Sequence, residues 1–219
     1  NHFLAEGLRE RQPCLHVSSF DAQERILQQV DAFRLPFRAG EADSLLRIVA
    51  YEPSSCDPDA CTEEIVRDIE ARGVRRLVID GIDPIEQSLA RSDRGLAYLT
   101  ALVTYLRSRR VTTILTYALP RLLGAPAELP QPMAAQVASD LILLHFAELE
   151  GRLRRFLSVV KMRHSAHSNF IAELLLHDGR INVVTEPVHV EAEVMGAATC
   201  PPGERRGDGG GYFPYRVPQ

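Results

Sequence analysis

Through its first 116 residues the chain alternates short apolar runs with amphipathic helical stretches, and that rhythm admits few folds. Cys14–Ser18 reads as a strand, followed by a helix over Ala22–Ala32. Leu45–Tyr51 reads as a strand and Asp59–Arg72 as a helix. Leu77–Asp80 is a third strand, Asp93–Arg109 a helix and Val111–Thr116 a fourth strand. Strands that alternate with helices of this length predict a mainly parallel sheet covered by helices. Local signals support the boundaries of one helix: Asp57 can cap it, Pro58 suits its first position and Gly73 its end.

The pattern then changes. Leu119–Met133 holds four prolines and reads as a loop. Asp140–Ala147 and Gly151–Arg163 read as strands around Glu148-Leu149-Glu150-Gly151, a hairpin signal. Phe170–Leu176 and Ile181–Val184 follow, with Asp178-Gly179 as a tight turn between them. These strands predict an antiparallel extension that continues the sheet. After about Ala197, two prolines and a glycine run read as a flexible tail over 198–219. At 219 residues, the rest fits one sizeable domain. The opening Asn1-His2-Phe3-Leu4 reads as the middle of a helix, so the expectation is that natural sequence precedes it.

Charge excludes some functions. The net charge of -4 gives no general attraction to nucleic acid or acidic membranes, and no apolar run approaches the roughly 20 residues that span a bilayer. Cys14 lies in an apolar strand and reads as core. Cys56 and Cys61 lack the spacing of a zinc site and have no second pair nearby; with Cys200 they fit reduced thiols in a cytoplasmic protein.

Candidate chemistry gathers at strand ends, because an open parallel sheet binds ligands beyond the carboxyl ends of its strands. Leu77-Val78-Ile79 closes on Asp80, a place from which a carboxylate can hold a magnesium-bound water; many such strands also end in Asp for turn reasons. Val111–Leu115 ends in Thr116, a hydroxyl that can satisfy local backbone. Asp21 follows the first strand and, with Glu24 three residues on, can instead form a capping box. The only lysine, Lys161, shares a strand face with Arg163. The pair could clamp a phosphate or be ordinary surface charge. His164 and His167 fit a solvated loop unless further metal ligands join them, and His145 reads as a core histidine. Arg107, Arg109 and Arg110 close a helix, where cations suit the dipole.

Taken in order, Phe3–Gly7, Cys14–Ser18, Leu46–Val49, Arg76–Asp80, Val111–Thr116, Ser139–Leu144 and the Val160-Lys161-Met162-Arg163-His164 segment resemble the KaiC-like ATPase domain of the RecA-type P-loop NTPases. The resemblance spans about residues 1–197. It implies a three-layer α/β/α fold and ATP with Mg²⁺ as ligands. It implies assembly into a ring, commonly a hexamer, with nucleotide between subunits. By position, Asp80 resembles the carboxylate that supports Mg²⁺ and Thr116 the sensor on the next strand. Lys161 and Arg163 resemble the basic pair that reaches a neighbour's nucleotide.

Four departures stand out. No Gly-x-x-x-x-Gly-Lys-Ser/Thr loop occurs in the chain, and in the family it lies just before the helix containing Phe3–Gly7. Where two adjacent glutamates are usual, Phe20 and Asp21 stand, leaving Asp21 as the remaining carboxylate for water activation. Gly81 follows Asp80 where serine is common. Gln136 and Val137 occupy the place of the Ser-Thr pair of clock-type kinases, so autophosphorylation is not supported. Three functions compete: a ring-forming ATPase in signalling or regulation, with a protein partner; a nucleotide-binding scaffold deficient in hydrolysis, which Phe20 favours; and a recombinase-like DNA motor, against which the acidic charge counts.

Overall fold

The computed structural model describes residues 1–51, 57–89, 94–119, 133–149, 151–163, 165–166, 170–177 and 180–184. Cys56, the proline-rich stretch 120–132, His164, His167, the Asp178-Gly179 turn, Cys200 and the 198–219 tail lie outside them.

The chain opens with α1 (His2–Arg9), β1 (Cys14–Ser18), α2 (Gln23–Ala32), α3 (Phe37–Ala42) and β2 (Leu46–Ala50). There follow α4 (Pro58–Arg72), β3 (Arg76–Asp80), α5 (Asp83–Leu89), α6 (Gly95–Ser108) and β4 (Thr112–Leu115). These four strands form one parallel sheet in the order β2-β1-β3-β4. The two central strands are β1 and β3, and β1 is buried at every position. A strand with no exposed face, such as β1, is what cover on both sides produces. Leu15, Val17, Leu77 and Ile79 face a core built with α4, α5 and α6. Cys14, Ile48 and Val78 face a second core with Leu4 and Leu8 of α1, Ile26 and Val30 of α2, and Phe37 of α3. The result is the three-layer arrangement expected of a RecA-type fold.

Helix α4 follows its local signals. The Asp57 carboxylate accepts a hydrogen bond from the Asp59 N–H at 3.1 Å, Pro58 opens the helix, and Gly73 ends it at φ +65°. Burial raises the Cys14 thiol to about 11, as suits an inert core residue. Cys61 is likewise buried in the helix. The expected capping box at Asp21 does not form: Ala22 is the N-cap of α2 and makes no side-chain cap bond.

The remaining elements are α7 (Met133–Val137), β5 (Asp140–Leu149), β6 (Arg152–Met162), β7 (Ala172–His177) and β8 (Arg180–Val183). The strands are antiparallel, as expected, with Gly151 at φ +72° in the tight turn between β5 and β6. They do not continue the parallel sheet, however. They form a separate four-stranded sheet, β5-β6-β7-β8, and among the described residues no ladder joins β4 to β5. Strand β4 has four residues, and β5, which follows α7, pairs with β6 along its full length.

Candidate active site

Register brings the expected strand ends together. Ser18 at the end of β1 lies opposite Asp80 at the end of β3. The Thr116 hydroxyl, just past β4, donates to Asp80 Oδ1 at 2.7 Å. The Gly81 N–H donates back to Thr116 Oγ1 at 2.8 Å. Main-chain bonds fix the same corner: Ser19 N–H to the Asp80 carbonyl at 3.0 Å and Ile82 N–H to the Thr116 carbonyl at 2.9 Å. Asp80 and Thr116 therefore form one hydrogen-bonded unit at the carboxyl edge of the sheet.

The start of α1 reaches this edge. The main-chain nitrogen of Asn1, ahead of α1, lies within electrostatic reach of Asp80. His16 on β1 is buried, and burial pushes its pKa down to about 4 against the opposing pull of Asp80, so it is neutral at pH 7. Its ring meets that of Phe37 edge-on, with centroids 6.4 Å apart. The Ser19 hydroxyl is wholly buried and has no hydrogen-bond partner among the described residues.

These groups suit Mg²⁺ of the kind that nucleotides bring. Among the described residues no three carboxylate, histidine or cysteine side chains meet to form a closed metal cage. Magnesium at phosphates asks for less: one or two carboxylates, with water and phosphate oxygens supplying the rest. Asp80, fixed by Thr116, meets that demand.

Asp21 occupies the loop after β1, where the Ser18 hydroxyl accepts from the N–H groups of Phe20 at 3.3 Å and Asp21 at 3.0 Å. Its carboxylate pairs with Arg25 Nε at 3.1 Å and accepts from Gln29 Nε2 at 3.3 Å. The Phe20 ring, 54% exposed, lies over Gly81. A Cβ at Gly81 would overlap that ring, and Gly81 holds φ +88°. The two departures read separately in the sequence are thus a single packing arrangement.

Lys161 and Arg163 both bond main-chain carbonyls of α7 and the residue after it. Lys161 Nζ donates to the carbonyls of Ala135 at 3.2 Å and Ala138 at 2.8 Å. Arg163 Nη2 donates to the Gln136 carbonyl at 3.2 Å. Of the helix-closing arginines, Arg107 donates to the Val137 carbonyl at 3.2 Å and Arg109 pairs with Glu70 at 2.8 Å. His145 is an inward-facing strand residue stacked on Phe156, and burial lowers its pKa.

Sequence reasoning missed α3, α5 and α7. Asp83 of α5 accepts from the Ala118 N–H at 3.2 Å, and Glu86 accepts from the N–H groups of Ala134 at 2.6 Å and Met133 at 3.3 Å. The signal for α5 was present in Asp83-Pro84, an acidic residue before a proline at a helix start.

Comparison with known proteins accords with this geometry. A family model described as "ATPase: KaiC" matches residues 1–188. The circadian clock protein KaiC3 of Synechocystis is 22% identical over 182 residues, covering 81% of this chain and 35% of the relative. The circadian clock oscillator protein KaiC of Synechococcus elongatus is 19% identical over 199 residues, covering 91% of this chain and 38% of that protein. The crystal structure of a KaiC-like protein from the hyperthermophilic archaeon Pyrococcus horikoshii OT3 superposes with a TM-score of 0.69 at 26% identity, covering 83% of this chain and 80% of that one. The chain spans about a third of the length of the curated relatives it matches. It belongs to the KaiC ATPase family.

Proposed function

We propose that this KaiC-family domain binds ATP with Mg²⁺ and hydrolyses it between subunits of a cytoplasmic ring, a hexamer by resemblance, in a signalling or regulatory protein with a protein partner. The observation that carries this reading is the Asp80–Thr116 unit at the carboxyl edge of the sheet, with the start of α1 beside it. Asp80 would orient a magnesium-bound water, and Thr116 would hold its carboxylate and respond to the γ-phosphate. Bound there, Mg²⁺ would neutralise charge on the phosphates as the terminal bond breaks. Asp21 is the carboxylate nearest in sequence for activating water, and Arg25 and Gln29 engage it. Lys161 and Arg163 would act on the nucleotide of the adjacent subunit, where their charge counts most as γ-phosphate charge develops.

A second reading has a specific observation behind it. Phe20 cannot accept a proton, and its ring covers Gly81 beside Asp80. This favours a scaffold that holds nucleotide and turns it over slowly. The acidic net charge leaves a recombinase-like DNA motor as the weakest reading.

ATP titration with and without Mg²⁺ tests nucleotide binding. It is carried out on the protein as its gene encodes it, called the extended protein wherever that is longer than these 219 residues. Asp80→Asn should weaken the magnesium-dependent part. In the extended protein, Lys161→Ala or Arg163→Ala should lower hydrolysis more than binding, each by about 2–4 kcal/mol of transition-state stabilisation. Unchanged metal dependence in Asp80→Asn removes Asp80 from the site. If the extended protein binds ATP without turnover and Phe20→Glu raises it, the scaffold reading holds.

A further inference from the structure

Helix α7 has only five residues, too few to hold itself together in isolation. Both of its ends are bound by charge supplied from elsewhere in the fold. At the amino end, the buried Glu86 carboxylate accepts from the N–H groups of Met133 and Ala134. At the carboxyl end, four successive carbonyls accept from cations. Ala135 and Ala138 take Lys161, Gln136 takes Arg163 and Val137 takes Arg107. An acid at the positive end and cations at the negative end is the arrangement a helix dipole favours. Gly95 on α6 leaves room for the Met133 thioether, so α7 is also seated from the side.

We infer that Glu86 is a positioning residue for the Lys161–Arg163 pair, acting through α7. Glu86 fixes where α7 begins, and the position of α7 fixes the carbonyls that hold the two cations. Only the role of the pair at a neighbour's nucleotide rests on the function proposed above; their placement by Glu86 does not. The inference runs against sequence position. Glu86 lies six residues after Asp80, so proximity along the chain assigns it to its own subunit's nucleotide. The hydrogen bonds tie it instead, through α7, to Lys161 and Arg163.

The chain's single lysine provides a direct readout. Acetic anhydride in trace amounts acylates Lys161, and peptide mass separates this product from the modified amino terminus. In the folded 219-residue chain, Glu86→Ala should raise the Lys161 rate about tenfold and Glu86→Gln about threefold, since glutamine keeps an acceptor oxygen but loses the charge. Circular dichroism identifies which variants are folded. If Glu86→Ala does not fold, Glu86→Gln decides alone. Rates within about twofold of wild type in the folded variants overturn the inference.

A second measurement uses mixed assemblies of the extended protein. Glu86→Ala subunits mixed with Asp80→Asn subunits should regain activity, because some interfaces then combine an intact Asp80 with a correctly held cation pair. Glu86→Ala mixed with Arg163→Ala should regain none. The reverse pattern places Glu86 in its own subunit's site and overturns the inference. If the extended wild type shows no turnover, the ATPase reading fails, and the Lys161 rates still decide what Glu86 does.

Discussion

The parallel sheet has helices on both faces, whereas the antiparallel sheet carries exposed apolar side chains on one face among the described residues. On β1 and β3 the residues Leu15, Val17, Leu77 and Ile79 are almost wholly buried. On the second sheet, His145 and Phe156 face inward, with Phe156 fully buried. The opposite face carries Leu144 paired with Leu157 and Leu176 paired with Ile181. Leu144 is 61% exposed and Ile181 42%. Equally apolar strands therefore contribute unequally. The first sheet provides the rigid platform on which Asp80 and Thr116 meet, while the second contributes two cations held by a short helix.

Substitutions at matched leucines test this contrast most strongly. Leu77→Ala should destabilise the chain by about 2–5 kcal/mol, because it opens a cavity in a core closed on both sides. Leu144→Ala should cost far less, within about 0.5 kcal/mol, as expected at an exposed site. Urea denaturation of both variants measures the difference, and equal costs would erase the distinction between the sheets.

The buried end of the first sheet should also be the more acid-sensitive. His16 is held neutral, with a pKa of about 4 against 6.5 for a free histidine. The unfolded chain binds this proton first, so the contribution is complete above pH 6.5 and is lost as pH falls towards 4. The gap is worth about 3 kcal/mol. His16→Leu should flatten the stability–pH curve across that window, as read by denaturation between pH 7 and 4.5.

A smaller effect concerns the rim of the site. Gly81→Ser should cost about 1–3 kcal/mol, from the positive φ and from overlap with Phe20. In a Phe20→Ala background the cost should fall to about half, because only the backbone strain remains. Thermal unfolding of the four proteins in this cycle reports the coupling. Additive costs would separate the two positions. The smallest effect should be that of Ile181→Thr on the exposed apolar face, within about 0.5 kcal/mol of wild type by the same measurement.

The parts of this architecture that depend on neighbours in sequence were legible beforehand. Asp57, Pro58 and Gly73 act within a few residues of themselves, and they bounded α4. Asp80 and Thr116 could be placed because residues that end parallel strands share one edge. The split into two sheets was not legible, since an alternating pattern marks a strand without naming its partner. Nor was α7, because five residues carry no helical period and its ends are held by Glu86, Arg107, Lys161 and Arg163 from distant segments. The partners of Lys161 are main-chain carbonyls, which any residue can supply, so no sequence signal identifies them. Asp21 is not a cap because α2 begins at Gln23 with Ala22 as its N-cap, and Asp21 pairs with Arg25 instead.

The seat of Phe20 on Gly81 also gives sequence change at these two positions an order. With the ring in place, any side chain at position 81 meets it, so serine cannot enter first without strain. With glycine at 81, position 20 is free to vary. A lineage moving from glutamate and serine to phenylalanine and glycine therefore crosses most easily by changing position 81 first. The return journey begins at position 20. The pair works as a ratchet on descent, and a single substitution at 81 is the step it resists.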